Sequence, residues 1–129
     1  MKRLVLKFGG TSVGTIEKIK KVANIVEKRF SEGNQIIAVV SAMSGETNKL
    51  NEQSKTVSKN FDSKELDVLL SAGEQISSSL LSGSLLEMGL KARSWLGWQI
   101  PIITNNNHTS SQIIKIKTDE ISNFISDRG

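Results

Sequence analysis

The chain has 129 residues, 37% hydrophobic and 23% charged, a globular composition that is long enough for one domain with a core. It has no cysteine and one histidine, which excludes disulfides, thiol nucleophiles, thiolate metal sites and His-rich metal centres. The net charge is +4, and it is uneven: residues 1–60 hold eleven Lys and Arg against five Asp and Glu, whereas residues 61–129 hold six against eight. An anionic ligand is therefore expected to meet the first half of the chain.

Segments that address a chain to membranes or to export are not evident. The longest uninterrupted apolar run, residues 36–40, is far too short for a membrane span, and the first residues lack the pattern of a signal peptide. We therefore expect a soluble, cytoplasmic protein with no membrane partner.

The first forty residues predict a strand, a helix and a second strand. Arg3–Phe8 is the first strand, and a glycine-containing loop over 9–15 follows it. Apolar residues then recur at three- and four-residue spacing over 16–30, with Thr15 as the expected N-cap. The second strand, 35–41, is nearly all apolar, as in a parallel sheet that is covered on both faces. This βαβ unit predicts an α/β fold with a mostly parallel sheet between helices.

The rest of the chain predicts further helices and strands, with a last strand expected to begin at 127–129, where the chain stops. A polar stretch over 48–60 is a weakly specified helix, and Asp62 opens another helix that Gly73 is expected to interrupt before it resumes over 75–88. Strands are predicted over 92–96, 100–104 and 112–116, followed by a helix that Thr118 caps.

The glycine loop after the first strand is the most informative segment. Backbone amides between a strand and a helix N-terminus form a ready anion site, and Lys7 stands immediately before them. Gly9 and Gly14 have the spacing of a Walker loop, but Thr15 occupies the position of its lysine, so the motif of a P-loop NTPase is absent. Phosphate binding with Lys7 as a point charge is one interpretation. A tight turn with a solvated lysine is the other.

Two further segments could touch a ligand. Hydroxyl residues follow the second strand at Ser41, Ser44 and Thr47, at the carboxyl end where open parallel sheets bind ligands, although such residues are also common in loops. Glu74 follows Gly73 between two apolar helical stretches, where it could hold a cation such as a substrate ammonium or simply favour a helix start. His108 is expected to be a surface loop residue, because no acid lies near it in the sequence.

Together these segments resemble aspartokinases, the amino acid kinases that phosphorylate the side-chain carboxylate of aspartate at the start of lysine, threonine and methionine synthesis. The resemblance rests on KFGGTSVG at 7–14, VVSAMSGETN at 39–48, GEQIS at 73–77, and GWQ at 97–99 followed by Thr104. These motifs run in family order across nearly the whole chain. The resemblance implies the carbamate kinase-like amino acid kinase fold, with ATP, L-aspartate and Mg²⁺ as ligands.

The resemblance also implies roles for the positions that match its motifs. Lys7 corresponds to the catalytic, phosphate-binding lysine, and Ser41 to a residue near the transferring phosphoryl group. Thr47 and Glu74 correspond to residues that bind aspartate, and no metal-ligating side chain is assigned. The loop around the ATP phosphates corresponds to Phe8, Gly9, Gly10, Thr11 and Ser12.

The chain departs from the family pattern at its end. Aspartokinases carry a later Arg-Gly-Gly-Ser-Asp motif, the nucleotide-binding half of the kinase domain and regulatory ACT domains, and the sequence contains none of them. Residues 1–129 are therefore expected to be the amino-terminal portion of a catalytic domain in a longer, homo-oligomeric enzyme. A sister kinase for another small carboxylate and a non-catalytic nucleotide-binding module are the alternatives. Nucleic acid is not expected as a partner, because the lysines spread along a helix as on a solvated face.

Overall fold

The computed structural model describes residues 2–127, so residues 128 and 129 of the expected last strand lie outside the described part. Most of the predicted elements are present. In chain order they are β1 (Arg3–Phe8), α1 (Ile16–Ser31), β2 (Gln35–Val40), α2 (Glu46–Val57), α3 (Ser63–Glu87), β3 (Ile102–Thr104), β4 (Ile113–Ile116) and α4 (Asp119–Ser126).

Strands β1 and β2 pair in parallel, as the βαβ pattern predicts, because α1 carries the chain back across the sheet. Lys7 lies opposite Val39, and Phe8 lies opposite Val40. The last residues of the two strands therefore lie side by side in the sheet. We call this end of the sheet, at Phe8 and Val40, the carboxyl edge.

Helices α1 and α3 cover one face of the β1–β2 sheet. The N-cap prediction for α1 is confirmed, since Thr15 Oγ1 accepts a hydrogen bond from the Lys18 backbone nitrogen at 3.3 Å. On the opposite face, Val5 is 65% exposed and Val39 45% exposed, so residues 2–127 build only one covered face of the expected sandwich. The buried apolar core consists of Val13, Ile19, Val22, Ala23, Val26, Leu81 and Leu85.

Helix α3 is one continuous helix of 25 residues, and the expected interruption at Gly73 is wrong. Asp62 opens it as predicted, because its Oδ1 accepts hydrogen bonds from the backbone nitrogens of Lys64 and Glu65 at 2.9 and 3.2 Å. A contact with Ala42 explains why position 73 is a glycine. A Cβ at this position would lie 2.8 Å from the Cβ of Ala42, closer than side-chain atoms approach one another. The missing side chain therefore lets α3 pack directly against the segment that follows β2.

Two other predictions are corrected in the second half, whereas the strands expected over 100–104 and 112–116 are present. The strand expected over 92–96 has no partner strand within residues 2–127, and Trp95 instead packs edge-on against Phe124 with ring centroids 5.8 Å apart. Strands β3 and β4 form an antiparallel hairpin apart from the parallel pair. Helix α4 begins where predicted, but the side chain of Thr118 makes no capping hydrogen bond.

A groove of about 1050 Å³ follows the side of β2 that does not pair with β1. Its walls come from α1, α3, the segment 88–98 and α4. Within the described residues no strand pairs with this side of β2, so its backbone groups face the groove.

Candidate active site

The loops that leave the carboxyl edge are held together by backbone contacts. The Ser41 backbone nitrogen donates to the carbonyl oxygen of Phe8 at 3.1 Å, which continues the strand pairing one residue past β2. Ser41 is half-buried there. The glycine loop, residues 9–14, and the segment 41–45 after β2 therefore start side by side, and both belong to the motifs that the sequence singles out.

The glycine loop packs against the segment 41–45 at Gly10. A Cβ on Gly10 would lie 3.0 Å from the carbonyl oxygen of Ala42, so the loop needs a residue without a side chain to approach this closely. The loop begins with a turn in which the Ser12 backbone nitrogen donates to Gly9 oxygen at 2.9 Å. Thr11 and Ser12 are exposed and face the solvent side of the carboxyl edge.

Two lysines stand at this loop. Lys7 is exposed, one residue before the end of β1, on the strand face that α1 does not cover. Lys18, on the first turns of α1, folds back so that its Nζ donates to the carbonyl oxygen of Thr11 at 3.0 Å. The lysine spacing along α1 predicts that Lys18 belongs to a solvated face. This spacing does not show that the side chain folds back to the glycine loop. A second positive charge therefore lies beside the glycine loop.

An acid, Glu17, stands in the first turn of α1. The pKa of Glu17 is lowered, first because its own backbone N–H hydrogen-bonds to the carboxylate, and further by the Thr15 hydroxyl and the charge of Lys20. The Glu17 carboxylate is thus favoured in its ionised form at the positive end of the helix.

Helix α3 brings the GEQIS motif, residues 73–77, to the carboxyl edge. Glu74 is exposed, yet its Oε1 accepts a hydrogen bond from the Ala42 backbone nitrogen at 3.4 Å. One turn later, the fully buried Ser77 hydroxyl donates to the carbonyl oxygen of Ser41 at 2.7 Å. Sequence reasoning did not assign Ser77 a role, since a buried serine in a helix gives no signal of its partner. These two contacts tie α3 to both residues that follow β2.

Thr47 is the one proposed aspartate-binding residue that the structure does not join to the others. It is exposed in the first turn of α2, which begins after Gly45, and no hydrogen bond connects it with Glu74 within residues 2–127. The structure therefore brings together the glycine loop, Ser41 and Glu74, while Thr47 lies at the adjoining helix start.

His108 has a partner that the sequence could not indicate. Its Nδ1 lies 2.6 Å from Oδ2 of Asp67, on α3, although the two residues are 41 positions apart. No group of three or more His, Cys, Asp or Glu side chains within residues 2–127 could hold a metal ion. None of the helices in the same part of the chain is long and apolar enough to cross a membrane.

A model of the amino acid kinase family matches residues 2–129, which is almost the whole chain. The chain belongs to the amino acid kinase family. This membership confirms the predicted fold class, and the described residues form part of that domain. A solved structure, an aspartate kinase from Synechocystis, superposes with a TM-score of 0.66 at 44% identity and covers 68% of this chain and 15% of that one.

Relatives named as aspartate kinases confirm the resemblance that the motifs indicate. An aspartate kinase from Stutzerimonas stutzeri is 45% identical over 125 residues, which cover 97% of this chain and 30% of that protein. An aspartokinase from Geobacillus stearothermophilus is 47% identical over 118 residues, or 92% of this chain and 29% of that protein. The chain thus spans about 30% of the length of these relatives.

Proposed function

We propose that this chain carries the phosphate-binding and part of the aspartate-binding machinery of an ATP-dependent aspartate kinase. The observation that carries the proposal is the convergence of three motifs at the carboxyl edge. The Phe8 carbonyl binds the Ser41 nitrogen, Gly10 packs against the Ala42 carbonyl, and Glu74 binds the Ala42 nitrogen. The names of relatives that share 43–47% identity with this chain support aspartate as the substrate.

The reaction needs positive charge and positioning more than a base. An oxygen of the aspartate side-chain carboxylate attacks the γ-phosphorus of ATP, the bond from that phosphorus to the β,γ-bridging oxygen breaks, and ADP leaves with its electrons. The nucleophile is already an anion, so no proton has to be removed. Catalysis then rests on holding two anions in line and on neutralising the charge that develops.

The residues of the carboxyl edge suit that task. We assign Lys7 to the transferring phosphoryl group as a compact positive charge, and the loop from Phe8 to Ser12 to the ATP phosphates through its backbone amides. Ser41, whose backbone is fixed by Phe8 and Ser77, is assigned a place beside the transferring group. Its hydroxyl can donate a hydrogen bond to a phosphoryl or carboxylate oxygen.

Aspartate binding is assigned to Glu74 and Thr47. The carboxylate of Glu74 is exposed at the carboxyl edge and keeps acceptor capacity beyond its one bond to Ala42, so it can accept a hydrogen bond from the substrate ammonium. Thr47 is exposed at the adjoining start of α2, where its hydroxyl is open to a carboxylate.

Kinases of this kind use Mg²⁺. Residues 2–127 contain no cluster of three metal-ligating side chains that could hold this ion. Mg²⁺ commonly binds through substrate phosphates with few protein carboxylates. The residues present therefore do not form a metal site, and no catalytic role of this chain is derived through the metal.

The proposal extends to the setting of the chain. We infer that residues 1–129 are the amino-terminal portion of a longer kinase domain, because the chain spans only about 30% of its relatives and no strand among residues 2–127 pairs with the groove side of β2. The complete enzyme is proposed to be a cytoplasmic homo-oligomer that acts on small molecules, with neither nucleic acid nor membrane as a partner.

The test is an assay of the full-length protein with Mg-ATP and L-aspartate. We expect ADP release that depends on aspartate, and a product that hydroxylamine converts to a hydroxamate, because an acyl phosphate reacts with this nucleophile. L-Glutamate and L-asparagine serve as comparison substrates. Turnover with glutamate but not aspartate would favour a sister kinase, and nucleotide binding without any turnover would favour a binding module.

A further inference from the structure

The loop between β3 and β4, residues 105–112, is tied to helix α3 through one carboxylate. We call it the hairpin loop. Oδ2 of Asp67 lies 2.6 Å from Nδ1 of His108, and Oδ1 accepts a hydrogen bond from the backbone nitrogen of Thr109 at 3.0 Å. An ionised carboxylate has only acceptors, so Nδ1 of His108 carries the hydrogen. Both oxygens of Asp67 are thus used by consecutive residues of the hairpin loop.

The hairpin loop is ordered by its own contacts as well. Asn105 Oδ1 accepts from the backbone nitrogens of Asn107 and Gln112 at 3.2 and 3.1 Å, and Ser111 Oγ donates to Asn107 oxygen at 2.8 Å. Thr109 has a φ of 65°, a left-handed conformation that a β-branched residue adopts only at a cost. The bond from its N–H to Asp67 offsets that cost, so the loop geometry depends on the tie to α3.

Helix α3 carries Asp67 beyond the carboxyl edge. Ser77 and Glu74 contact Ser41 and Ala42, directly after β2, whereas Leu81 and Leu85, later in the helix, belong to the core beside the sheet. The first half of α3 must therefore project past the ends of the strands. Asp67 precedes Glu74 by seven residues, which is two turns or about 10 Å along the axis and nearly the same side of the helix.

The hairpin loop consequently stands above the carboxyl edge, on the side of α3 that bears Glu74. Helix α2 packs against α3 in the same region, with Leu50 Cδ1 3.9 Å from where a Cβ on Gly73 would lie. The space above the carboxyl edge is thus bounded by α2, the first half of α3 and the hairpin loop. Apart from the His108 ring, the hairpin loop contains only uncharged polar side chains, which can line a site for a charged ligand without repelling it.

We propose that Asp67 and His108 are positioning residues for the aspartate site, which they serve by holding the hairpin loop in place as a wall above Glu74. This inference rests on the proposed function, because it assigns aspartate to Glu74. Neither residue touches the substrate. Their effect is exerted through the loop, whose displacement removes part of the wall above Glu74 and weakens substrate binding in the ground state and the transition state alike.

The experiment compares His108→Ala, Asp67→Ala and the double variant in the full-length protein. Lys91→Ala is the matched control, because it removes another tie between distant segments, the 2.9 Å contact of Lys91 with Asp127, away from the carboxyl edge. Hydrogen exchange of residues 102–116 reports whether the hairpin is held. Steady-state kinetics separate the KM for aspartate from the KM for ATP and from kcat.

We expect exchange in the hairpin to rise about tenfold in each variant. The KM for aspartate should rise about tenfold, while kcat and the KM for ATP change by less than about twofold. The double variant should be no worse than Asp67→Ala, because that substitution already removes both contacts between α3 and the hairpin loop. The control should leave hairpin exchange and the KM for aspartate unchanged.

Either of two results with the variants would overturn the inference. Hairpin exchange that is unchanged in all three variants would show that the contact does not hold the loop, and faster exchange with an unchanged KM for aspartate would show that the loop does not position the substrate. A wild-type protein that does not phosphorylate aspartate would overturn the proposed function and with it the positioning role. Hydrogen exchange would still show, independently of activity, whether Asp67 and His108 hold the loop.

Discussion

Oε1 of Glu74 lies 3.4 Å from the backbone nitrogen of Ala42, so a side chain of α3 caps the first free backbone N–H after β2. This contact fixes where a proposed substrate-binding carboxylate stands relative to Ser41 and the glycine loop. It depends on Gly73, whose missing side chain allows the close approach of α3. The proposed substrate contact at Glu74 and the packing of α3 at Gly73 are therefore coupled, because these two residues are neighbours in the helix.

Replacing Glu74 by Gln should mainly weaken aspartate binding. The amide oxygen can still accept from Ala42, but the charge-assisted contact with the substrate ammonium is lost, at a cost of about 1.5–3 kcal/mol where the bound substrate shields the pair from water. The loss of binding free energy should raise the KM for aspartate and change the KM for ATP little. Both constants are measured by titrating one substrate while the other is saturating. Glu87→Gln, at the far end of the same helix, is the control. An effect confined to ATP would place Glu74 in the nucleotide site instead.

Substitution of Lys7 should act on turnover. We expect Lys7→Ala to lower kcat by about a hundredfold or more, far beyond its effect on the KM for aspartate, because the positive charge acts where phosphoryl charge develops. Lys7→Arg should rescue little, since a planar guanidinium does not replace a compact ammonium. Lys55→Ala is the matched control, because that lysine lies outside the proposed site and forms an exposed ion pair with Glu52. Near-normal turnover of Lys7→Ala in an ADP-release assay would refute the phosphate assignment.

Two glycines of α3 should respond to alanine in opposite directions. At Gly73 a Cβ meets Ala42 at 2.8 Å, so Gly73→Ala should lower the free energy of unfolding by about 1–3 kcal/mol. At Gly83 nothing lies within 4 Å of the added Cβ, and Gly83→Ala should raise stability by about 0.5–1 kcal/mol through helix propensity. Urea unfolding of both variants measures the difference. Equal effects would show that the contact at Gly73 is relaxed at no cost.

The lowered pKa of Glu17 predicts a pH-dependent contribution to stability. A carboxyl group whose pKa is lower in the folded than in the unfolded state stabilises the fold above its unfolded value, about 4.3, and loses this contribution as the pH falls through the folded pKa. Glu17→Gln should therefore lower Tm at neutral pH, and the difference from the wild type should shrink as the solution is acidified. Thermal melts of both proteins across the acid range make the comparison. A difference that grows on acidification would contradict the sign of the shift.

Residues 1–129 by themselves should self-associate and show no aspartate phosphorylation. The side of β2 along the groove is unpaired within the described residues, and an open strand edge with apolar surface favours association. Sedimentation over a concentration series tests this, together with ADP release. Val39→Lys should reduce association by placing a charge at the edge strand, whereas Val57→Lys, at the exposed end of α2, should not. A stable monomer that turns over aspartate like a complete enzyme would identify a minimal kinase.

Local patterns were sufficient to predict β1, α1 and β2, because strand alternation, the N-cap at Thr15 and helical spacing are properties of neighbouring residues. Local patterns failed to predict the features that depend on contacts between residues far apart in the sequence. Gly73 looks like a helix breaker until Ala42 is seen beside it, and 92–96 has strand composition but no partner strand within the described part of the chain. The contact of His108 with Asp67 spans 41 residues and leaves no trace in sequence spacing.

The level ends of β1 and β2 place a constraint on insertions and deletions. Lys7 reaches the open face because it alternates with Leu6 and Phe8, which pack toward the core, and it stands opposite Val39. Loss or gain of one residue within β1 would bury the lysine and expose the phenylalanine, and the same change within β2 would exchange the two faces of that strand. We therefore expect natural length variation among relatives to spare both strands and to collect in the connection between α2 and α3.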